Sequence, residues 1–405
     1  MAMAKRLLLV DDEPMVLAGL RRGLRSMRED WAMEFAESGD AALAAMEREC
    51  FDVIVTDMRM PGMDGAQLLN EVRRRSPQTV RLALSGQCDR ETVMSAIGST
   101  HQYVSKPCDA QTLKETIAHA VALRGRLETA NLTKVVSQLR SIPSLPSSYQ
   151  TMMAELGRAE PRLNKLADLI SRDMGMTAKC LQLVNSAFFG LRARVSNAQT
   201  ALSLLGLDTL KSLILSSHIF SEFKPSLFDA QEIQWLWEHS FAVGVCARRI
   251  AETLGAAQKE VEDAATGGLL HCTGQLVLAS CLGSEYKMAL DMASQTGISL
   301  AEAEREVLGC GHAEVGAYLL GIWGLPDGIV EAVGWHPDPC AAPYGASSAL
   351  LAVHAGCVHH CKLHASRLAG GAELNGEYLG RLGLEGQEQM LFDACSNALR
   401  SSVRD

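Results

Sequence analysis

At 405 residues the chain exceeds one ordinary core, so two or three domains are expected. Its 47% hydrophobic and 21% charged residues fit a soluble globular protein, and no apolar run approaches the ~18 residues of a membrane span. A formal net charge of −9 weighs against a general nucleic-acid-binding surface.

The N-terminal AKRLLLVDD has a basic start but too short an apolar stretch for a secretory signal, and reads as a buried strand. From residue 6 to about 125, short apolar runs alternate with amphipathic stretches. RLLLV, AMEFA, DVIVT, VRLAL and QYVS have the character of strands. PMVLAGLRRGLRSM, DAALAAMERE, DGAQLLNEVRRR, ETVMSAI and AQTLKETIAHAVALRGRL have the character of helices. Each parallel crossover requires a helix, so these units predict an α/β doubly wound domain with a five-stranded parallel sheet, residues 1–125.

The last of these helices continues apolar through Leu113, Ile117, Val121, Leu127, Val135 and Leu139, until Pro143 and Pro146 in SIPSLPSS end its propagation. Residues 126–142 therefore read as a helical linker: a loose tether, a signalling helix, or the seam of a homodimer. Arg124 and Asn131 interrupt the stripe and weigh against the seam. Beyond Tyr149 nearly every segment carries apolar residues at three- and four-residue spacing, with no convincing strand series. An all-α domain over 143–405 follows, with a core to about 345 and a helical extension over 346–405. The twelve cysteines show no paired framework and read as reduced core residues of a cytoplasmic protein.

Asp11 and Asp12 follow the first strand and Asp57 ends the third. Loops at the carboxyl ends of neighbouring strands meet where strand order reverses. Carboxylates converging there require a cation, and hard oxygen donors suit Mg²⁺. The plainer account makes Asp12 the N-cap of a helix starting at Pro14 and has Asp57 open a turn. That account leaves unexplained why Ser85 and Lys106 also fall at strand ends on the same edge.

LLLVDDEP, DVIVTDMRMPGMDG, LALSG and YVSKP, in this order over residues 5 to about 125, closely resemble the receiver domain of two-component response regulators. The resemblance implies that Asp57 accepts a phosphoryl group from a sensor histidine kinase. It implies Mg²⁺ held by Asp11, Asp12, Asp57 and the backbone carbonyl of Arg59. Lys106 would contact the phosphoryl group, Ser85 would hydrogen-bond it, and Tyr103 would be the aromatic switch residue.

The second half carries His239, His271, His312 and His336 at separated helical positions. LVNSAFFG, VSNAQTALSLLGLDTLKSLIL and GAYLLGIWGLPDGIVEAVGWHPDP resemble the HD superfamily of metal-dependent phosphohydrolases, and more closely its HDOD branch. Where that superfamily needs a His-Asp pair, this chain has His271-Cys272. Gln275 replaces the usual basic residue, and Cys357 stands near the expected later Asp. The resemblance thus implies a hydrolase scaffold without the acidic ligands of a water-activating metal pair.

The expected output is non-enzymatic: an unknown downstream protein bound under control of Asp57. A metal-dependent phosphodiesterase of the HD superfamily, acting on a nucleotide or a cyclic dinucleotide, is the alternative, and a DNA-binding regulator a third. AQTALSLLGLDTLKSL mimics a helix-turn-helix but offers little beyond Lys211 to DNA, so core packing is preferred.

His239, His271, Cys272 and Cys357 are a zinc-compatible set. Satisfied core histidines beside buried thiols are the preferred account, because adjacent residues of a regular helix project in different directions. A further run at His354, Cys357, His359, His360, Cys361 and His364 reads mainly as one partly buried helix.

Overall fold

The computed structural model describes residues 4–85, 99–106, 110–124, 139, 144, 146–158, 161–185, 194–207, 210, 228–343, 347–364, 366, 368 and 373–402. Strands β1 (Lys5–Val10), β2 (Trp31–Ala36), β3 (Val53–Asp57), β4 (Val80–Ser85) and β5 (Gln102–Ser105) form one parallel sheet in the order β2-β1-β3-β4-β5. Helices α1 (Pro14–Gly23), α2 (Gly39–Arg48), α3 (Gly65–Arg75) and α4 (Ala110–Arg124) accompany it.

The central strands are apolar throughout because both faces are covered. Leu8, Val10 and Ile54 pack with Ala42, Leu68 and Leu69 on one face. Leu7, Leu9, Val53 and Val55 pack with Leu113 and Ile117 on the other.

Local chemistry sets the helix ends. Asp64 and Gln67 form a reciprocal capping box that starts α3. At α1 the expectation for Asp12 is corrected: Glu13 occupies the N-cap position, and no side chain caps. Pro14 supplies the favoured first residue. The expected helix over 14–27 stops at Gly23, and Arg25–Met27 is a separate 3₁₀ turn. ETVMSAI, and the 126–142 linker apart from Leu139, lie outside the described residues.

The second half is mostly helical. Its described helices are α5 (Pro146–Leu156), α6 (Leu163–Ser171), α7 (Met174–Val184), α8 (Ala198–Leu205), α9 (Ala230–Thr253), α10 (Gln258–Leu270) and α11 (Thr273–Cys281). After them come α12 (Gly283–Thr296), α13 (Leu300–Leu308), α14 (His312–Ile322), α15 (Asp327–Trp335), α16 (Ser348–Leu363), α17 (Gly376–Arg381) and α18 (Glu388–Ser402). Pro146 opens a helix as well as ending the preceding pattern, as a first-turn proline can.

The long α9 is framed by α10, α16 and α18. It approaches α10 closely enough that a Cβ on Gly268 would lie 2.8 Å from Gly244 Cα. No helix among the described residues is long and apolar enough to cross a membrane.

The two halves meet along α4 and the start of β5. Helix α4 packs on α14. Gln182 of α7 donates to the carbonyl of His101 at 3.3 Å. Gly324, at φ +77°, lies so close to Gln102 that an added Cβ would come within 2.8 Å of its side-chain nitrogen. Beside this seam the buried Arg81 guanidinium donates to the carbonyls of Ser99, Pro77 and Thr79 at 2.6, 3.0 and 3.0 Å.

Candidate functional site

Two clusters stand out, one in each half. In the first, β1 delivers Asp11 and β3 delivers Asp57 to the crevice where strand order reverses. Lys106, just after β5, joins them: its Nζ lies 2.8 Å from Asp11 Oδ2 and 2.5 Å from Asp57 Oδ1. The remaining Asp57 oxygen accepts from the Arg59 backbone N–H at 3.1 Å. Asp11 Oδ1 accepts from the Glu13 N–H at 3.0 Å. Asp11 is fully buried and Asp57 nearly so, whereas Asp12 is half-buried beside them.

Electrostatics follow from this packing. Burial holds the Asp57 carboxyl above its usual range, outweighing the Lys106 ammonium that pulls it down. Burial opposes the Lys106 charge, but its hydrogen bonds to Asp11 and Asp57 raise its affinity for the proton. The buried carboxylate oxygens of Asp11 and Asp57 form a hard donor set that fits Mg²⁺.

Ser85 ends β4 in register with Ser105, next to the Asp57–Leu84 pair, and its side chain lies outside the described residues. Tyr103 is buried in β5, in register with Ala83, on the sheet face that also holds Met58. Burial pushes its phenol above the usual range. The structure thus joins Asp11, Asp57 and Lys106 directly, and sets Arg59 against Asp57 through its N–H.

The second cluster lies inside the helical half. His239 comes from α9, His271 and Cys272 from the break between α10 and α11, and Cys357 from α16. His239 Nε2 is 3.0 Å from His271 Nε2, Cys272 Sγ is 3.2 Å from His271 Nε2, and Cys357 Sγ is 3.8 Å from His239 Nε2. The objection that adjacent residues diverge on a helix does not apply. His271 ends one helix and Cys272, at φ −88° and ψ 3°, precedes the next.

Three donors that sequence reasoning did not assign to this set also converge on it. His360 Nδ1 is 2.9 Å from His239 Nδ1. Cys361 groups with His239 and Cys357, and His336 with His271 and Cys357, their donor atoms within 4.8 Å of one another in each group. The two His/Cys runs seen along the chain are therefore parts of one cluster.

The other histidines of the second run face elsewhere. His354 is fully engaged, Nδ1 with the His336 carbonyl at 2.7 Å and Nε2 with the Asn375 N–H at 3.0 Å. His359 stacks on Phe392 and contacts Ser396. Burial lowers the imidazole of His271 to about 3 and that of His360 to about 4. The same cause lowers His239 and His336 and raises the Cys272 thiol.

Of the tryptophans, Trp237 and Trp323 are buried and Trp235 and Trp335 half-buried, so their mass serves packing. Trp235 stacks on His239 with ring centroids 4.6 Å apart. In the segment resembling a helix-turn-helix, α8 is capped by Asn197 and buries Ala201, Leu202 and Leu205. Lys211 lies outside the described residues.

Comparison with known proteins matches the model of the response regulator receiver domain to residues 7–118 and that of the HDOD domain to residues 142–339. A Treponema pallidum (strain Nichols) protein is 26% identical over 209 residues, 52% of this chain and 40% of its own length. The hydrogenase transcriptional regulatory protein HoxA of Cupriavidus necator is 32% identical over 159 residues, 39% of this chain and 32% of its own. The chain thus spans well under half the length of these curated relatives. Among solved structures, the MmoQ response regulator of Methylococcus capsulatus str. Bath is 24% identical, with TM-score 0.47, covering 62% of this chain and 98% of that one.

Proposed function

Because this chain is a response regulator joining a receiver domain to an HDOD domain, we propose that phosphorylation of Asp57 controls a protein-binding surface on a non-catalytic helical half. The carrying observation is the Lys106 ammonium held between Asp11 and Asp57 at the carboxyl edge of the sheet. We assign residues 1–125 to the receiver, 126–142 to the linker and 143–405 to the output domain.

An Asp57 oxygen attacks the phosphorus of a histidine kinase's phosphohistidine. The O–P bond forms as the P–N bond breaks, and the imidazole leaves with the electron pair. Asp11, Asp12, Asp57 and the Arg59 carbonyl would hold Mg²⁺, which supplies charge stabilisation to the transferring oxygens when bound. Lys106 offsets the same charge with its ammonium, and Ser85 would hydrogen-bond the product.

Phosphorylation adds negative charge beside Lys106 and changes its balance between two carboxylates. Lys106 follows β5, and His101 precedes it at the domain seam. A shift of Lys106 is thereby transmitted through one short strand, with Tyr103 as its buried switch residue. Coupling of ~1–3 kcal/mol suffices for a useful response.

The reading of the output as non-catalytic rests on chemistry. Where a hydrolytic metal pair needs bridging carboxylates, this chain presents Cys272 and Cys357. A cytoplasmic location agrees with a histidine-kinase partner and with cysteines whose spacing shows no disulfide framework.

Phosphoryl incorporation from acetyl phosphate in Mg²⁺ tests the assignment. The native chain is expected to take up label and Asp57→Asn to lose it. Equal labelling of the variant would refute the role of Asp57.

A further inference from the structure

We propose that the His/Cys cluster of the helical half is a zinc site, with His239, His271, Cys272 and Cys357 as its ligands. The inference is independent of phosphorylation at Asp57 and concerns a separate chemistry. Four observations support it.

The first is spacing. A tetrahedral zinc with bonds of about 2.0–2.1 Å to nitrogen and about 2.3 Å to sulfur places its donors about 3.3–3.8 Å apart. The corresponding separations are 3.0 Å for His239–His271, 3.2 Å for Cys272–His271 and 3.8 Å for Cys357–His239. A few tenths of an ångström of side-chain movement brings these pairs onto a coordination shell. His239, His271 and Cys272 have donor atoms within 4.8 Å of one another, and Cys357 forms such groups with His239 and with His271 separately, so Cys357 is the ligand that must move in to complete the shell.

The second is ring orientation. His271 Nδ1 lies 2.6 Å from the Gly268 carbonyl, which can only accept, so Nδ1 carries the proton. Its Nε2 lone pair therefore faces the cluster, with both His239 and Cys272 against it. Outer carbonyl contacts of this kind fix the tautomer of metal-binding histidines. His239 turns its Nδ1 to the His360 ring nitrogen at 2.9 Å and its Nε2 to His271, an orientation that leaves Nε2 on the cluster side; a His360 that accepts from Nδ1 would fix the matching tautomer. His360 is thus a positioning residue.

The third is charge. Carboxylates are absent from the ligand set, so hard divalent ions are poorly matched. Two thiols that release their protons to solvent and bind as thiolates neutralise Zn²⁺ fully. A neutral site is what a buried position can hold, since an uncompensated buried cation is costly. The cysteines that replace acidic positions thereby convert a hard-cation scaffold to soft-donor chemistry.

The fourth is access. A cavity of about 260 Å³ reaches His239, His271, Cys272 and Cys357. Its walls also carry Glu302, Asp338 and Glu373, with Arg305 beside them, which provides a net acidic mouth for a cation. The ligands come from α9, the α10–α11 break and α16, so zinc would clamp residues beyond 345 to the centre of the domain.

Cobalt(II) substitution of the full-length, tag-free chain tests this, with excess Mg²⁺ filling the receiver pocket. About one equivalent should bind, with near-ultraviolet thiolate-to-cobalt bands and tetrahedral visible bands, and zinc should displace it. Cys272→Ser and Cys357→Ser should each weaken the thiolate bands, and the double variant should lose them, while Cys50→Ser at an exposed thiol should not. Thiolate bands that persist in a folded double variant would overturn the ligand assignment. A wild-type chain that shows no thiolate band, or retains less than about one tenth of an equivalent of zinc after reloading and dialysis, would overturn the site whatever the variants do.

Discussion

The side-chain amide of Gln182 donates to the carbonyl of His101, linking α7 of the helical half to the residue before β5. The same side chain accepts from Lys179 Nζ at 2.8 Å through its other end. A shift at Lys106 is separated from this contact by one four-residue strand. Gln182→Ala leaves the His101 carbonyl without that donor, at a cost of ~1 kcal/mol, or about fivefold in the docking equilibrium. Hydrogen exchange over 110–124 and 312–322 should rise by that factor. A phosphorylated chain should show the same segments loosened, and an unchanged pattern in both would remove this seam from the signalling route.

Lys179 provides a second, pH-dependent reading of the seam. It is fully buried in α7, with Trp323 centred 5.5 Å from its ammonium. Burial pushes its pKa down to about 7. With the folded value below the unfolded one, the unfolded chain binds more protons between about 7 and the ordinary lysine range. Stability therefore rises with pH across that window, by up to ~1.4 kcal/mol per pH unit from this group. Below about 7 both states hold the proton and the penalty is at its full value. Lys179→Met should raise the denaturation midpoint at pH 7 and flatten its dependence from pH 7 to 10. A slope equal to that of the native chain would count against a buried, neutral Lys179.

Gly65 shows how tightly the strand that ends in Asp57 is held. It opens α3, donates to the Met58 carbonyl at 3.1 Å, and lies against the Asp57 carbonyl. A Cβ there would also approach Met58 Cα within 2.8 Å. Gly65→Ala forces the β3–α3 connection apart, with an expected cost of ~1–3 kcal/mol. Its labelling by acetyl phosphate should slow as Arg59 withdraws from Asp57. Native stability together with a native labelling rate would show that the connection has slack.

The receiver half was legible because its determinants are local. Each strand is a short apolar run, each crossover a helix of matching period, and every acidic or basic group of interest follows a strand end. Once the sheet is parallel and doubly wound, Asp11, Asp57 and Lys106 must share an edge, whatever the details of packing. What the chain's pattern left open at that edge was small: the cap of α1, which Asp12 does not supply, and the early end of that helix at Gly23.

The helical half was legible only as helices. Three- and four-residue spacing tells which face of a helix is apolar, but not which other helix covers it. His239 and His360 are 121 residues apart, yet their ring nitrogens lie 2.9 Å from each other. Only the packing of α9 against α10 and α16 decides that. Likewise, the break that separates His271 from Cys272 and lets them converge is a tertiary outcome, because nothing in GLLHCTGQLVL marks a helix end as proline would. Residue chemistry by itself determined which groups could act. The long-range fit of the helices decided which of them meet, and placed Lys179 and Gln182 where the two halves join.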